Sequence, residues 1–446
     1  MQKYLRFNGG KQLMEKSAND VVIVDGVRTP FAKAGTKFKS VHAAELGKIA
    51  LQELIARTNL DTEDVEEVIV GCVGNPSDAV NIGRVVALRA GIPISTSAHT
   101  VHRNCASALE SISTGYDKIK AGVVDTVIAG GTENMSQAPL LFSQKFADVF
   151  GEFAYAKTMG KKLNALKKLK LKYLAPRISI VEALNDPFVG INMGQTAEIL
   201  AKEFHISRKE QDEFALQSHL RAVLATKEGR LQEEMTPVYI APKYKDVVEH
   251  DLGPRDGQTI EALQKLRPYF DRRTGTVTVG NACPLTDGAA MVLLMSRAKA
   301  ESLGYKPIAR IRSYAFAGLE PERMGLGPAY STPIALKRAG LTLKDMDLVE
   351  LNEAFAAQVI ACQKAMGSKK FAEEKLGLSE AVGELDLDKV NVNGGAIAIG
   401  HPVGATGTRL VLTLIKEMKR RNSQFGLATL CIGGGQGGAM IVENEG

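Results

Sequence analysis

The chain has no tryptophan, only five cysteines, and nowhere an uninterrupted apolar run of the roughly 18 residues that a spanning helix needs. That last absence excludes an integral helical membrane protein. Residues 1 to 20 carry scattered charges without the apolar stretch of a secretory signal, so the expected location is the cytoplasm. Cys72, Cys105, Cys283, Cys362 and Cys431 are far apart, odd in number and free of any CxxC pairing, which argues against a disulfide framework and against zinc; no metal centre is expected. Reduced thiols, some of them reactive, are the better reading. Neither sign of charge is scarce: the net charge of +6 suits an anionic ligand, but nothing beyond it points to nucleic acid, which is not expected as a partner.

What is present is an ordinary globular composition, 45% hydrophobic and 24% charged, in a chain too long for one core. Short apolar runs ending at glycine or another turn recur: Val21 to Val24, Val68 to Val70, Thr126 to Ala129 and Leu427 to Leu430. These read as buried strands, and segments between them such as Glu45 to Ala56 have helical periodicity, so an α/β architecture follows. An internal repeat refines it. The segment Leu60 to Val70 is echoed by Leu341 to Leu351, each a helix end running into a strand, and Asn104 to Lys120 is echoed by His401 to Lys416. Two similar halves packed face to face are expected. Between them, residues 138 to 275 differ in composition, and Lys157 to Tyr173 interleaves seven lysines with Met159, Leu163, Leu166, Leu169 and Leu171. This basic amphipathic segment is either a solvated face or a surface for a membrane or a partner.

Three segments carry chemistry. In His102-Arg103-Asn104-Cys105-Ala106-Ser107, Cys105 precedes a helix, where the dipole and free N–H groups favour a thiolate. Asn393-Gly394-Gly395 and Gly400-His401-Pro402 open a helix in the other half, and the repeat places Cys105 and His401 at equivalent positions of a local dyad. Cys431-Ile432-Gly433-Gly434-Gly435-Gln436 follows the last strand-like run, with the glycine density that lets backbone N–H groups approach a developing oxyanion. Asn352-Glu353-Ala354-Phe355 ends the second copy of the repeat, and its role is undecided on spacing alone.

Together these segments resemble the thiolase family, from Val21 to Glu445, with Gly130 to Ser136, Met193 to Glu198 and Gly280 to Cys283 as supporting matches. The resemblance implies two βαβαβαββ halves packed as a five-layer αβαβα core, residues 19–137 completed by 276–298 forming one and 304–446 the other, with 138–275 as an inserted loop domain. It implies an acyltransferase of fatty-acid β-oxidation that uses coenzyme A as a substrate and no permanently bound cofactor. In that scheme Cys105 attacks a 3-ketoacyl-CoA, His401 takes its proton, and Cys431 protonates the departing acetyl-CoA carbanion. His401 with a water on Asn352, and the N–H groups of Cys105 and Gly433, would form two oxyanion holes. Arg255 would meet the nucleotide phosphates, Cys283 the pantetheine arm, and Met193 would line the cofactor site. A homodimer or dimer of dimers is implied. The basic loop at 157–173 looks most like that of the trifunctional-complex β-subunit, implying a hydratase/dehydrogenase α-subunit or peripheral membrane contact, although Asn352 stands where those proteins usually carry His. An acetyl-CoA acetyltransferase making acetoacetyl-CoA is the alternative; a ketoacyl-synthase-like enzyme, which lacks the second cysteine, and a non-catalytic lipid-binding relative are further from the sequence.

Overall fold

The four apolar runs singled out in the sequence are strands, each longer than its apolar centre because the pleated ladder continues into flanking polar residues. The computed structural model describes residues 16–446. In the first half β1 (Val21–Arg28) leads to α1 (Ala43–Thr58), β2 (Glu67–Gly71), α2 (Ile82–Ala90), β3 (Ser97–Val101), α3 (Ser107–Lys120) and β4 (Thr126–Asn134). A long excursion holds α4 (Gln144–Tyr155), α5 (Met159–Lys167), α6 (Met193–Glu203) and α7 (Arg208–Lys227), and the chain then returns as β5 (Thr286–Ser296) to pair between β1 and β4. The second half runs β6 (Ala309–Gly318), α8 (Gly327–Ala339), β7 (Leu348–Leu351), α9 (Ala356–Met366), α10 (Ala396–Ile399), α11 (Thr406–Arg421), β8 (Phe425–Ile432) and β9 (Gln436–Asn444). The echoed segments are equivalent: a 3₁₀ turn, Thr62–Asp64 or Leu343–Asp345, runs into β2 or β7.

Alternation along the strands sorts the core into layers. Val68 and Val70 pack outward with α1 and α2, while Ile69 between them faces α3 and α11. In the second half Ala428 and Leu430 face that same central pair, and Leu427 and Ile441 face α8 and α9. The result is five layers, helix, sheet, helix, sheet, helix, with α3 and α11 in the shared middle. Two features depart from a pair of identical halves. The sheets are stitched into one ladder, β7-β8-β9-β6-β1-β5-β4-β2-β3, through a short antiparallel contact of Val22 with Arg310 and Ile23 with Ala309. That contact pairs polar groups that would otherwise line two sheet edges. In the second half the strand expected before α11 shrinks to one bridge, Val349 to Val390.

The excursion is fastened by buried charge. Arg28, fully buried, donates to both Asp251 oxygens and to Glu234, each at 2.7 Å. Three charges with complementary hydrogen bonds tolerate such burial; any one left alone would not.

The two central helices touch at a glycine. A Cβ on Gly407 would stand 2.3 Å from the backbone nitrogen of Leu109, so only a hydrogen fits where α11 crosses α3. Gly407→Val is therefore expected to force the helices apart and lower the unfolding free energy by about 1–3 kcal/mol. Urea denaturation followed by circular dichroism checks this, and an unchanged midpoint would contradict the crossing.

Candidate active site

Cys105 lies two residues before α3, in a turn that Ser107 holds by accepting from the Arg103 N–H at 2.9 Å and donating to the Asn104 carbonyl at 2.7 Å. The Gly433 N–H and the N–H of Cys105 itself face the sulfur, and both favour the thiolate. Burial outweighs them, and the thiol sits above its ordinary range. The pull of the helix N-terminus toward a thiolate is therefore opposed by burial.

His401 is buried, five residues before α11, with its N–H donating to Pro284 O at 3.3 Å. Its Nδ1 is 2.6 Å from the Thr406 hydroxyl, and that hydroxyl donates its single proton to Pro402 O at 2.9 Å. The hydroxyl can only accept from the ring, so the network assigns the proton to Nδ1 and leaves Nε2 as a base. Nε2 has no partner among the described residues. Burial, with Arg409 adding to it, pushes the imidazole down to about 3, so it is neutral at physiological pH. The loop carrying it is tied to the first half by the Gly404 N–H, which donates at 2.9 Å to Glu133, a buried carboxylate that also accepts from Val73 and Gly74.

Asn352 directly follows β7, fully buried, and neither atom of its amide finds a partner among the described residues. Such a group is expected to meet water or a ligand. The next residue, Glu353, is held by Ser218, Asn391 and the Ile397 N–H and forms the floor beneath α10. Cys283 bonds to Ala354 O through its N–H at 3.0 Å, and the neighbouring Pro284 receives His401, so this segment bridges the two loops.

Cys431, at the end of β8, is buried in an apolar cluster with Ala282, Ala354, Phe355 and Met324, against which Met193 and Phe270 pack. Burial pushes its thiol well up, and negative charge on Cys105 would push it further. Cys283 feels Cys105 in the same way and is raised to about 12, again chiefly by burial. The three thiols therefore share one neighbourhood. Met193 opens α6, and a Cβ on Gly433 would come within 3.3 Å of its sulfur. Arg255 is different: its side chain is exposed, on a loop whose Gly253 presses against Ala398 O just ahead of His401.

The structure thus gathers Cys105, His401, Cys431, Gly433, Asn352, Cys283 and Met193 around one locus and leaves Arg255 on the nearby surface. Sequence reasoning had no role for Glu133 or Thr406. Both lie inside segments already singled out, but their use depends on partners in the opposite half or on a hydroxyl's single proton.

Comparison with known proteins agrees with this layout. Residues 21–298 match the N-terminal domain model of the thiolases and residues 305–444 the C-terminal one. The chain is 44% identical over 436 residues to a 3-ketoacyl-CoA thiolase of Shewanella pealeana, covering 98% of this chain and 99% of that protein. The Bacillus anthracis acetyl-CoA acetyltransferase superposes with a TM-score of 0.83 at 37% identity, over 95% of this chain and 98% of that one. Human mitochondrial 3-ketoacyl-CoA thiolase gives 0.84 at 36% identity, over 96% and 100%; its complex with CoA gives 0.83 at 37%, over 96% and 99%.

A neutral buried histidine has a signature in stability. The folded site refuses a proton that the unfolded chain accepts below pH 6.5, so the stability linked to His401 is present above that pH and is lost as pH falls toward about 3. The unfolding free energy of the wild type is expected to drop more steeply over this interval than that of His401→Asn, measured by urea titration at each pH; parallel curves would place the proton on the folded ring.

Proposed function

The chain belongs to the thiolase family of acyltransferases, and on that premise we propose that it is a 3-ketoacyl-CoA thiolase, cleaving 3-ketoacyl-CoA with coenzyme A to acetyl-CoA and a shortened acyl-CoA. The observation that carries the reading is one thiol beside two backbone N–H groups, a second thiol buried beneath it, and a neutral imidazole with a free Nε2. His401 Nε2 takes the Cys105 proton as the sulfur attacks the 3-keto carbon. The resulting alkoxide collapses, the bond between carbons 2 and 3 breaks, and the electron pair leaves on acetyl-CoA. Cys431, protonated because it is buried, gives its proton to that carbanion. Coenzyme A, its thiol deprotonated by Cys431, then attacks the acyl group on Cys105, and the released sulfur recovers its proton from His401.

Two oxyanion sites accompany these steps. The Cys105 and Gly433 N–H groups hold the thioester oxygen of the acyl-enzyme, and the unpartnered Asn352 amide holds a water that acts with His401 on the other oxyanion. Coenzyme A runs its pantetheine past Met193 and Cys283 toward the mouth, with its phosphates near the exposed Arg255. Synthesis of acetoacetyl-CoA by the same steps in reverse is the second reading, favoured by the likeness to an acetyl-CoA acetyltransferase.

The assembly follows from two surfaces. Strand β3 ends the ladder with an open, partly exposed edge, which a second copy can cover in a homodimer, the unit from which a dimer of dimers is built. The excursion presents the second. Residues 157–173 are not one long helix: α5 stops at Lys167 and a short 3₁₀ turn follows. Together with α4 they expose Phe150 (60%), Tyr155 (88%), Met159 (72%) and Leu171 (88%) among lysines. Apolar side chains so exposed between cations suit an anionic membrane surface or a hydratase/dehydrogenase subunit. No described helix is long and apolar enough to cross a membrane, so such contact is peripheral.

Thiolysis of 3-ketoacyl-CoA substrates of about four to sixteen carbons is expected for the wild type, with a loss of at least about a thousandfold in Cys105→Ala. Activity confined to four carbons would favour the acetyltransferase reading, and none at any length would overturn both. For the surface, flotation with phosphatidylserine vesicles is expected to carry the wild type, and Lys161→Glu/Lys162→Glu/Lys168→Glu to lose it; equal flotation would assign the patch to a protein partner.

A further inference from the structure

Asn104, directly before Cys105, has φ +44°, a left-handed conformation that asparagine adopts more readily than most residues. Its side chain does more than tolerate the turn. The amide Nδ2 donates at 2.8 Å to the carbonyl of Gly433, 329 residues away and in the other half. Gly433 opens the three-residue turn between β8 and β9, whose next two glycines have φ +90° and +76°. That turn has no side chain with which to fix itself. Residue 433 is instead gripped at both ends, its N–H facing the Cys105 sulfur and its carbonyl accepting from Asn104. Arg103 adds a brace: its guanidinium lies 4.1 Å from the centre of the Phe316 ring and donates to Gln436 at 3.1 Å and to Glu110 at 2.6 Å. Residues 103, 104 and 105 each reach across to the segment 433–436.

We propose that Asn104 is a positioning residue for the acyl-transfer site, its amide setting the Gly433 peptide so that the Gly433 N–H, with that of Cys105, holds the charge that develops on the thioester oxygen. The inference rests on the thiolase reading and adds a residue to it. Asn104 touches no reacting atom; it acts through Gly433. The position therefore has two separable roles, allowing a positive φ and donating to a carbonyl, and substitution can divide them. Asn104→Gly keeps the backbone freedom and removes the donor. Asn104→Asp keeps shape and φ but turns an acceptor toward the Gly433 carbonyl.

Removing an oxyanion donor outright costs about 10²–10³ in kcat, so misplacing one is expected to cost about tenfold to a hundredfold. The test compares thiolysis by wild type, Asn104→Gly and Asn104→Asp, with circular dichroism to establish folding, and follows alkylation of Cys105 by iodoacetamide against pH. Folded Asn104→Gly is expected to lose that factor in kcat with KM within about threefold. Its alkylation profile is expected to move to higher pH as the Gly433 N–H leaves the sulfur, and Asn104→Asp to fall at least as far. Wild-type kcat and an unmoved alkylation profile in Asn104→Gly would overturn the proposal and leave Asn104 a backbone role alone. Failure of the wild type to cleave any 3-ketoacyl-CoA would sink the thiolase reading instead, and the alkylation arm would still decide whether Asn104 governs the Cys105 thiol.

Discussion

The structure depends on the contact between α3 and α11, the two buried helices that both sheets share. Each follows a loop singled out in the sequence, with Cys105 before one and His401 before the other. Because the halves are repeats, packing these helices against one another brings equivalent N-terminal loops to the same side of the molecule. Gly407 lets the backbones approach closely, and Glu133 then ties the His401 loop to the first half by accepting the Gly404 N–H. Burial disfavours that carboxylate and holds it above its ordinary range, and its several N–H partners offset only part of the cost. The placement of Cys105 and His401 is therefore a consequence of the core, with few residues devoted to holding it.

Burial also sets the electrostatics. Cys105 and Cys431 are raised and His401 is lowered, and desolvation is the largest cause in all three. A preformed thiolate–imidazolium pair is the arrangement that such an interior opposes most. Burial thus favours the neutral form of all three groups. This differs from the picture a helix N-terminus alone suggests, in which the dipole ionises the thiol in advance. The dipole is present, but here it acts against the larger effect of burial.

Much of this was legible in the sequence. The strands around Val68–Val70, Thr126–Ala129 and Leu427–Leu430, the echoed segments that run into β2 and β7, and the equivalence of Cys105 and His401 follow from local pattern and repeat, while Cys431 joins them only through the family resemblance. The rest depends on geometry between distant residues. No local signal says that β1 and β6 pair for two residues, or that the β-strand expected ahead of α11 survives only as the bridge at Val390. The tautomer of His401 is fixed by where one hydroxyl proton of Thr406 goes, which motif spacing cannot express. The basic stretch has an amphipathic pattern in sequence, yet its Met159, Leu163, Leu166, Leu169 and Leu171 are all exposed and only Ala165 of α5 is buried, which spacing alone does not foretell.

The glycine turn after Cys431 shows the cost of building a site from two halves. Backbone N–H groups can approach a ligand there because no side chains intervene, and a Cβ on Gly435 would meet Leu319 O at 2.3 Å. The same lack of side chains leaves the turn without internal restraint, since glycine gives up the most conformational freedom on ordering. Restraint has to come from outside the turn. It comes from the Cys105 loop, through Asn104 and Arg103, so the Cys105 loop and the Gly433 turn are bonded to each other across the halves. Loosening the interface between the halves would therefore weaken the fold and release the Gly433 turn in the same event.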